Sequence, residues 1–154
     1  MEALFVLGIG IGALVVAGII VIFLYVFMSL AHMKALKALG YDKAWIAWIP
    51  YGSYYGLADA VCDNEEKVTL FGKFEIPSIL FKLWWILPLV LFFLPLGNAY
   101  TLITRVIYII FLGCTYAKMY ARLDGKTEQE TQVLGCVSGF IPLIAGCKFL
   151  AIKK

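Results

Sequence analysis

The stretch from Leu4 to Leu30, LFVLGIGIGALVVAGIIVIFLYVFMSL, holds 27 consecutive residues without one charged side chain. At about 1.5 Å of rise per residue, a helix of that length reaches roughly 40 Å, more than the ~30 Å hydrocarbon core of a bilayer. Three further apolar runs follow, at about residues 76–96, 99–121 and 133–152. The sequence therefore predicts an all-α, polytopic integral membrane helical bundle. It should have about four transmembrane helices (4–30, 76–96, 99–121, 133–152) and an aromatic interfacial or re-entrant segment over residues 43–61. Residues 1–154 read as a single integral membrane domain.

Composition points the same way. Apolar residues make up 63% of the chain and charged residues 15%, against about 45–50% and 25% in soluble domains. Such a chain lacks the polar residues to cover a water-facing surface, and the lipid bilayer is the partner it requires. A net charge of +3 supplies no basic stripe for a phosphate backbone, which argues against nucleic acid. Cys62, Cys114, Cys136 and Cys147 are scattered without a C-x-x-C pair and read as small apolar residues. Glu2 stands where a cleavable signal would carry basic residues, so the first run is expected to be retained as a span.

Between the runs lie three kinds of punctuation. His32 to Leu39 continue the first helix with a basic face, and Gly40 is the expected cap, because glycine accepts the left-handed conformation. Trp45, Trp48, Tyr51, Tyr54 and Tyr55, broken by Pro50 and Gly52, read as interfacial anchors, since aromatic rings with one polar edge favour the headgroup layer. Pro95-Leu96-Gly97-Asn98 is turn chemistry that joins the second and third spans as a hairpin. Thr127 and Glu130 have capping-box spacing for the start of the fourth. The tripeptides Trp48-Ile49-Pro50, Phe93-Leu94-Pro95 and Phe140-Ile141-Pro142 share one pattern, read here as coincidence in an apolar, aromatic-rich chain.

Lysine and arginine counts give an orientation. With the N-terminus outside and residues 43–61 not crossing, nine basic residues lie inside and four outside. If that segment crosses, the count is seven against six. The positive-inside rule selects the first arrangement. It leaves Lys153 and Lys154 outside, and a re-entrant bend at Pro142 to Gly146 would bring them back.

Candidate functional residues fall into two sets. Gly8 and Gly12 form a G-x-x-x-G pair on the first span, and Gly135 and Gly139 repeat the spacing on the fourth. Small residues let helix backbones approach closely in lipid, either within the chain or against a second protomer. On the third span Thr101, Thr104, Arg105, Tyr108, Thr115 and Tyr116 fall within about ±60° of one direction on a helical wheel. Such a stripe turns away from lipid, toward a polar path with Arg105 as its charge. Alternatively, its hydroxyls bond across helices while Arg105 snorkels to the interface. The acidic cluster Asp59, Asp63, Glu65 and Glu66 lacks calcium-loop spacing and reads as a solvated loop. For catalysis there is one histidine, His32, and Ser53 follows Gly52, but Tyr55 occupies the second glycine position of G-x-S-x-G. No catalytic, cofactor-binding or metal-binding residue is predicted.

Residues Leu39-Gly40-Tyr41-Asp42-Lys43-Ala44-Trp45-Ile46-Ala47-Trp48-Ile49-Pro50, followed by Tyr54-Tyr55-Gly56-Leu57, resemble a motif of small multi-span membrane proteins of unknown function from Gram-positive bacteria. The resemblance covers about residues 31–154. It departs at Gly52-Ser53 and at Leu57-Ala58. It implies a multi-pass protein of the bacterial inner (cytoplasmic) membrane and supplies no activity. The functional expectation is a non-enzymatic oligomeric scaffold, or a subunit working with copies of itself or with other membrane proteins. A small ion channel or transporter with its path along the third span is the alternative. An intramembrane enzyme using Ser53 or His32 is the third class.

Overall fold

The computed structural model describes residues 2–95 and 97–153, with the side chains of the first helix described from Gly10 onward. Leu96 and the surroundings of Gly8, both used in the sequence reading, lie outside the described residues. Helix α1 runs over Glu2–Ala38, 37 residues, or about 55 Å at 1.5 Å each. Residues 10–26 are exposed on every side, which suits a helix that is apolar all round and surrounded by lipid. Gly40 closes it at φ +74°, with Tyr41 N–H donating to Leu36 O and Gly40 N–H to Lys37 O, both at 3.0 Å. This is the Schellman pattern expected of a glycine cap.

The chain then doubles back along α1. A 3₁₀ turn, Ala44–Trp48, brings Trp48 Nε1 to 3.4 Å from Met33 Sδ, and its carbonyl accepts a bond from the Tyr25 hydroxyl. After Pro50 the direction reverses into α2, Gly52–Ala60, whose far end returns to Tyr41 through Asp59. Residues 44–60 are thus a hairpin that enters and leaves by the same end of the molecule. A short antiparallel hairpin follows, β1 (Lys67–Leu70) with β2 (Phe74–Pro77), in the register Lys67↔Pro77.

The second predicted span does not form one helix. It splits into α3 (Ser78–Lys82) and α4 (Ile86–Phe92). Pro88 has no N–H to offer the Trp84 carbonyl, which Leu87 N–H reaches at 3.0 Å instead, so the helix restarts after the tryptophan pair. Helix α5, Asn98–Asp124, is continuous and ends at Gly125, φ +64°. Helix α6, Glu128–Phe140, opens on the capping box of Thr127 and Glu130. Helix α7, Pro142–Leu150, is bent 118° from α6. It runs back along α1, with Gly146 against Phe27 and Met28 and the Leu150 carbonyl accepting from Lys34 Nζ at 2.7 Å.

Among the described residues, α1 and α5 are long and apolar enough to cross a membrane, and the bent pair α6–α7 adds a third span if counted as one. The molecule is mostly helical, with two to three such candidates in place of four continuous spans. All three aromatic–aliphatic–proline tripeptides lie at reversals of the chain. A residue before proline is pushed from helical to extended backbone, and Ile49 (φ −90°, ψ 125°) and Ile141 (φ −123°, ψ 85°) both show it.

Close approach holds α5 on α6. A Cβ at Gly135 would lie 2.5 Å from the Gly113 carbonyl oxygen, and one at Gly139 2.8 Å from the Gly113 nitrogen. Gly135 and Gly139 therefore serve packing within the chain, whereas Gly12 has nothing within 4 Å.

Ion pairs gather where α1 ends, α5 ends and α6 begins, hereafter the charged end. Lys82 meets Asp59 at 2.6 Å, Lys118 meets Glu128 at 2.7 Å, Lys148 meets Asp124 at 2.7 Å, and Arg122 grips Asp63. Burial would raise the Asp59 carboxyl, but Lys82 and the Tyr41 hydroxyl outweigh it and hold its pKa below the ordinary carboxylate value.

Gly135→Ala is expected to lower the thermal midpoint in detergent strongly, and Gly12→Leu to leave it unchanged. Thermal unfolding followed by tryptophan fluorescence checks both. Asp59→Asn should cost more than the ~0–1 kcal/mol of an exposed pair and less than the ~3–5 kcal/mol of a fully buried one. A depressed carboxylate stabilises above its unfolded pKa, so that contribution disappears as pH falls through the folded value. Wild type and Asp59→Asn should then differ at neutral pH and converge in acid.

Candidate functional site: two neighbouring cavities beside α5

The two hairpin tips meet α1 and α5 around a cavity of about 360 Å³. Helix α1 contributes Tyr25, Ser29 and His32 at positions i, i+4 and i+7, which fall on one helical face. The first tip contributes Pro50, Tyr51, Ser53 and Tyr54, the second contributes Pro142, and α5 contributes Tyr108 and Tyr116. His32 Nε2 lies 3.0 Å from the Tyr116 hydroxyl. Ser29 is 3% exposed and His32 4%. Among the described residues, the buried side-chain polar atoms without a hydrogen-bond partner are Trp84 Nε1 and Trp85 Nε1.

A second cavity of about 350 Å³ adjoins the first, lined by Thr101, Thr104, Arg105, Tyr108, Gly139, Phe140 and Pro142. The two share Tyr108 and Pro142. Arg105 stands 5.7 Å from the centre of the Phe140 ring. Thr104 Oγ1 donates back to the Tyr100 carbonyl at 2.8 Å, which leaves its oxygen able to accept.

Toward the charged end the space closes. Tyr116, Tyr120 and Phe149 are all fully buried, with Phe149 ring centres 5.6 Å from Tyr116 and 5.4 Å from Tyr120. The Tyr120 hydroxyl donates to Ser138 Oγ at 2.8 Å, and Lys148 Nζ lies 5.0 Å over the Tyr120 ring. Together these make an aromatic plug.

The polar stripe of the third span is thus distributed. Thr101, Thr104, Arg105 and Tyr108 line the outer cavity, and Tyr108 and Tyr116 the inner one. Thr115 takes no part, being buried with its hydroxyl donating to the Phe111 carbonyl at 2.8 Å. Of the aromatic segment, Trp45 and Trp48 are exposed. Tyr51 stacks on Trp85 at 5.7 Å, and Tyr54 packs on Trp84 at 5.3 Å and Tyr108 at 5.9 Å. Tyr55 is half-buried. Sequence reasoning had weighed His32 and Ser53 for catalysis alone and missed Ser29 and Tyr25. The signal was present: the wheel applied to the third span finds Tyr25, Ser29 and His32 as a second stripe. The recorded partner of the imidazole is Tyr116, and no serine bonds to it among the described residues. Asp59 and Asp63 are engaged by Lys82 and Arg122, and no group of three metal-ligating side chains occurs among the described residues.

Comparison with protein-family models, with curated proteins and with solved structures returns no match for this chain.

Water should reach the outer cavity but not the lipid face of α5. Thr104→Cys is expected to react with a water-soluble thiosulfonate and Leu102→Cys, on the opposite side, to stay silent. Mass spectrometry against the parent chain's own cysteines reads the difference.

Proposed function

We propose that this chain is a small membrane transport protein whose solute path runs along α5, through the outer cavity and past Tyr108 into the His32 cavity. The observation that carries the reading is the sharing of Tyr108 and Pro142 by two neighbouring cavities that hold hydroxyl groups, His32 and Arg105 on helices built to lie in lipid. Polar groups within membrane helices are costly unless they face a cavity or one another. Broken helices whose ends meet at a site within the bilayer also build transport paths. Because the aromatic plug ends the space, the reading favours a carrier that binds and then opens over a continuously open pore. The bacterial cytoplasmic membrane is the proposed location, following the resemblance of residues 39–58. The charged end would face inward by the positive-inside rule. A re-entrant course of α6–α7 would put Lys153 on that same side.

Liposomes holding the protein should swell in iso-osmotic solutions of small polar solutes faster than empty liposomes. Tyr108→Trp, which fills the shared neck, should slow that swelling severalfold. Equal swelling with and without protein, or indifference to Tyr108→Trp, removes the reading.

An oligomeric scaffold or subunit role is the second reading, favoured by the bare course of α1. Residues 10–24 are exposed, and Gly10, Gly12 and Gly18 are open. Gly12→Leu should then reduce the native mass in nanodiscs to that of one protomer without altering thermal stability. An unchanged mass would leave α1 as a lipid-facing anchor.

A further inference from the structure

Independently of the transport reading, we infer that a shelf at Arg105 binds one phospholipid by its phosphate, and prefers an anionic glycerol headgroup to an amine-bearing one. The shelf follows from unequal lengths. Helix α5 covers 27 residues and α6 only 13, about 40 Å against about 20 Å. Helix α6 starts at the charged end, and Gly139, near its finish, lies against Gly113 and the Tyr108 carbonyl. The part of α5 before Tyr108 therefore rises past the turn at Phe140, which forms the floor of the outer cavity. Helix α4 covers the Tyr100 side, where the Tyr100 hydroxyl reaches the Pro88 carbonyl at 3.4 Å and its ring meets Phe92 at 6.0 Å. Thr101 and Arg105, one turn apart on the same face, stay exposed.

Arg105 marks the site. It lies about 10 Å along α5 from Asn98, and its side chain leans toward that end, as helical side chains do. The ion pairs among the described residues engage Lys67, Lys82, Lys118, Arg122 and Lys148, and none includes Arg105. Its guanidinium carbon stands 5.7 Å from the centre of the Phe140 ring. A cation within a span calls for a counter-charge, and the outer cavity has no aspartate or glutamate in its lining. Beside the cavity-lining residues in the chain, Val106, Ile141 and Leu143 are exposed and apolar, as is Phe140 itself. A phosphate carried on acyl chains covers these side chains as it meets the guanidinium; a dissolved one leaves them bare. The planar fork of arginine matches phosphate with two parallel bonds. Thr104 Oγ1 gives its proton to the Tyr100 carbonyl, so its oxygen accepts from a headgroup hydroxyl. Ethanolamine or choline would instead bring a second cation beside Arg105 with no carboxylate to receive it.

Native mass spectrometry of the full-length chain in detergent, titrated with phospholipids of identical acyl chains, counts each bound lipid. The first phosphatidylglycerol should bind severalfold more tightly than phosphatidylethanolamine or phosphatidylcholine. Arg105→Gln should remove that preference, and Arg105→Lys, which keeps the charge but not the fork, should retain part of it. Lys37→Gln and Lys126→Gln, at the charged end, should leave the first binding step unchanged. Because Arg105 is exposed, the lipid-free thermal midpoint of Arg105→Gln should match the parent, which separates a binding defect from a folding one. Glycerol 3-phosphate at millimolar concentration should not displace the lipid. Equal binding of the three lipids, a preference indifferent to Arg105→Gln, or a first step lost in the lysine variants overturns the inference. Displacement by glycerol 3-phosphate overturns the lipid as the source of the phosphate.

Discussion

Where α5 and α6 cross, their backbones touch. A side chain at Gly135 would strike both the Gly113 carbonyl and Ala117, and one at Gly139 would strike Gly113 and come within 3.3 Å of the Tyr108 carbonyl oxygen. Lipid supplies no hydrophobic force between helices, so their association rests on dispersion at close range, and glycine is what permits that range. The consequence reaches beyond the pair. With Gly139 fixed beside Tyr108, the next three residues must turn at that depth, which puts Phe140 under Arg105 and Pro142 between the two cavities. Buried hydroxyls complete the clasp: Thr131 Oγ1 donates to the Ala117 carbonyl at 2.8 Å and Tyr120 to Ser138 at 2.8 Å.

A second constraint shapes the tips. Backbone groups that leave a helix inside hydrocarbon lose their partners, so irregular chain is tolerated only where protein or a cavity covers it. Pro50 and Pro142 both break the chain against α1, and both tips line the same cavity. Proline helps because it brings one fewer N–H to satisfy. At the first tip Tyr51 adopts φ +61°, an uncommon conformation for a residue with a side chain. The following Gly52 is closed in, since a Cβ there would sit 2.8 Å from Ile49 Cβ.

Much of the local structure was legible in the sequence. The Gly40 cap and the Thr127–Glu130 box each follow from one short-range rule, the membrane class from long apolar runs, and the bend near Pro142 from the balance of lysines across the membrane. The broken second span was not, because hydropathy sums over Trp84 and Pro88 without registering that a proline four residues on removes the bond to a tryptophan carbonyl. The β-hairpin after Glu66 also escaped, being only four residues per strand. Of the site, the α5 stripe was readable because its six polar residues recur at helical spacing. The α1 stripe was hidden by its own context: Tyr25, Ser29 and His32 end the most apolar run in the chain, and an average over that run conceals them. That the α1 stripe meets Tyr108 and Tyr116 of the α5 stripe at one cavity is a tertiary fact, created by two tips that no local pattern brings together.

The distribution of bonds around the plug also bears on how such a cavity could change state. On the side of α5 and α6, the wall is held by backbone contact and buried hydroxyls, which are hard to loosen without unfolding. On the side of α7, it is held by Gly146 against Phe27 and Met28, by Lys34 on the Leu150 carbonyl, and by Lys148 on Asp124, each of that pair 29% exposed. Exposed ion pairs contribute little and are screened by salt. Helix α7 is short and carries Phe149, which packs on Tyr116 behind the wall of the inner cavity. Its polar tethers are therefore the weakest attachments around the plug.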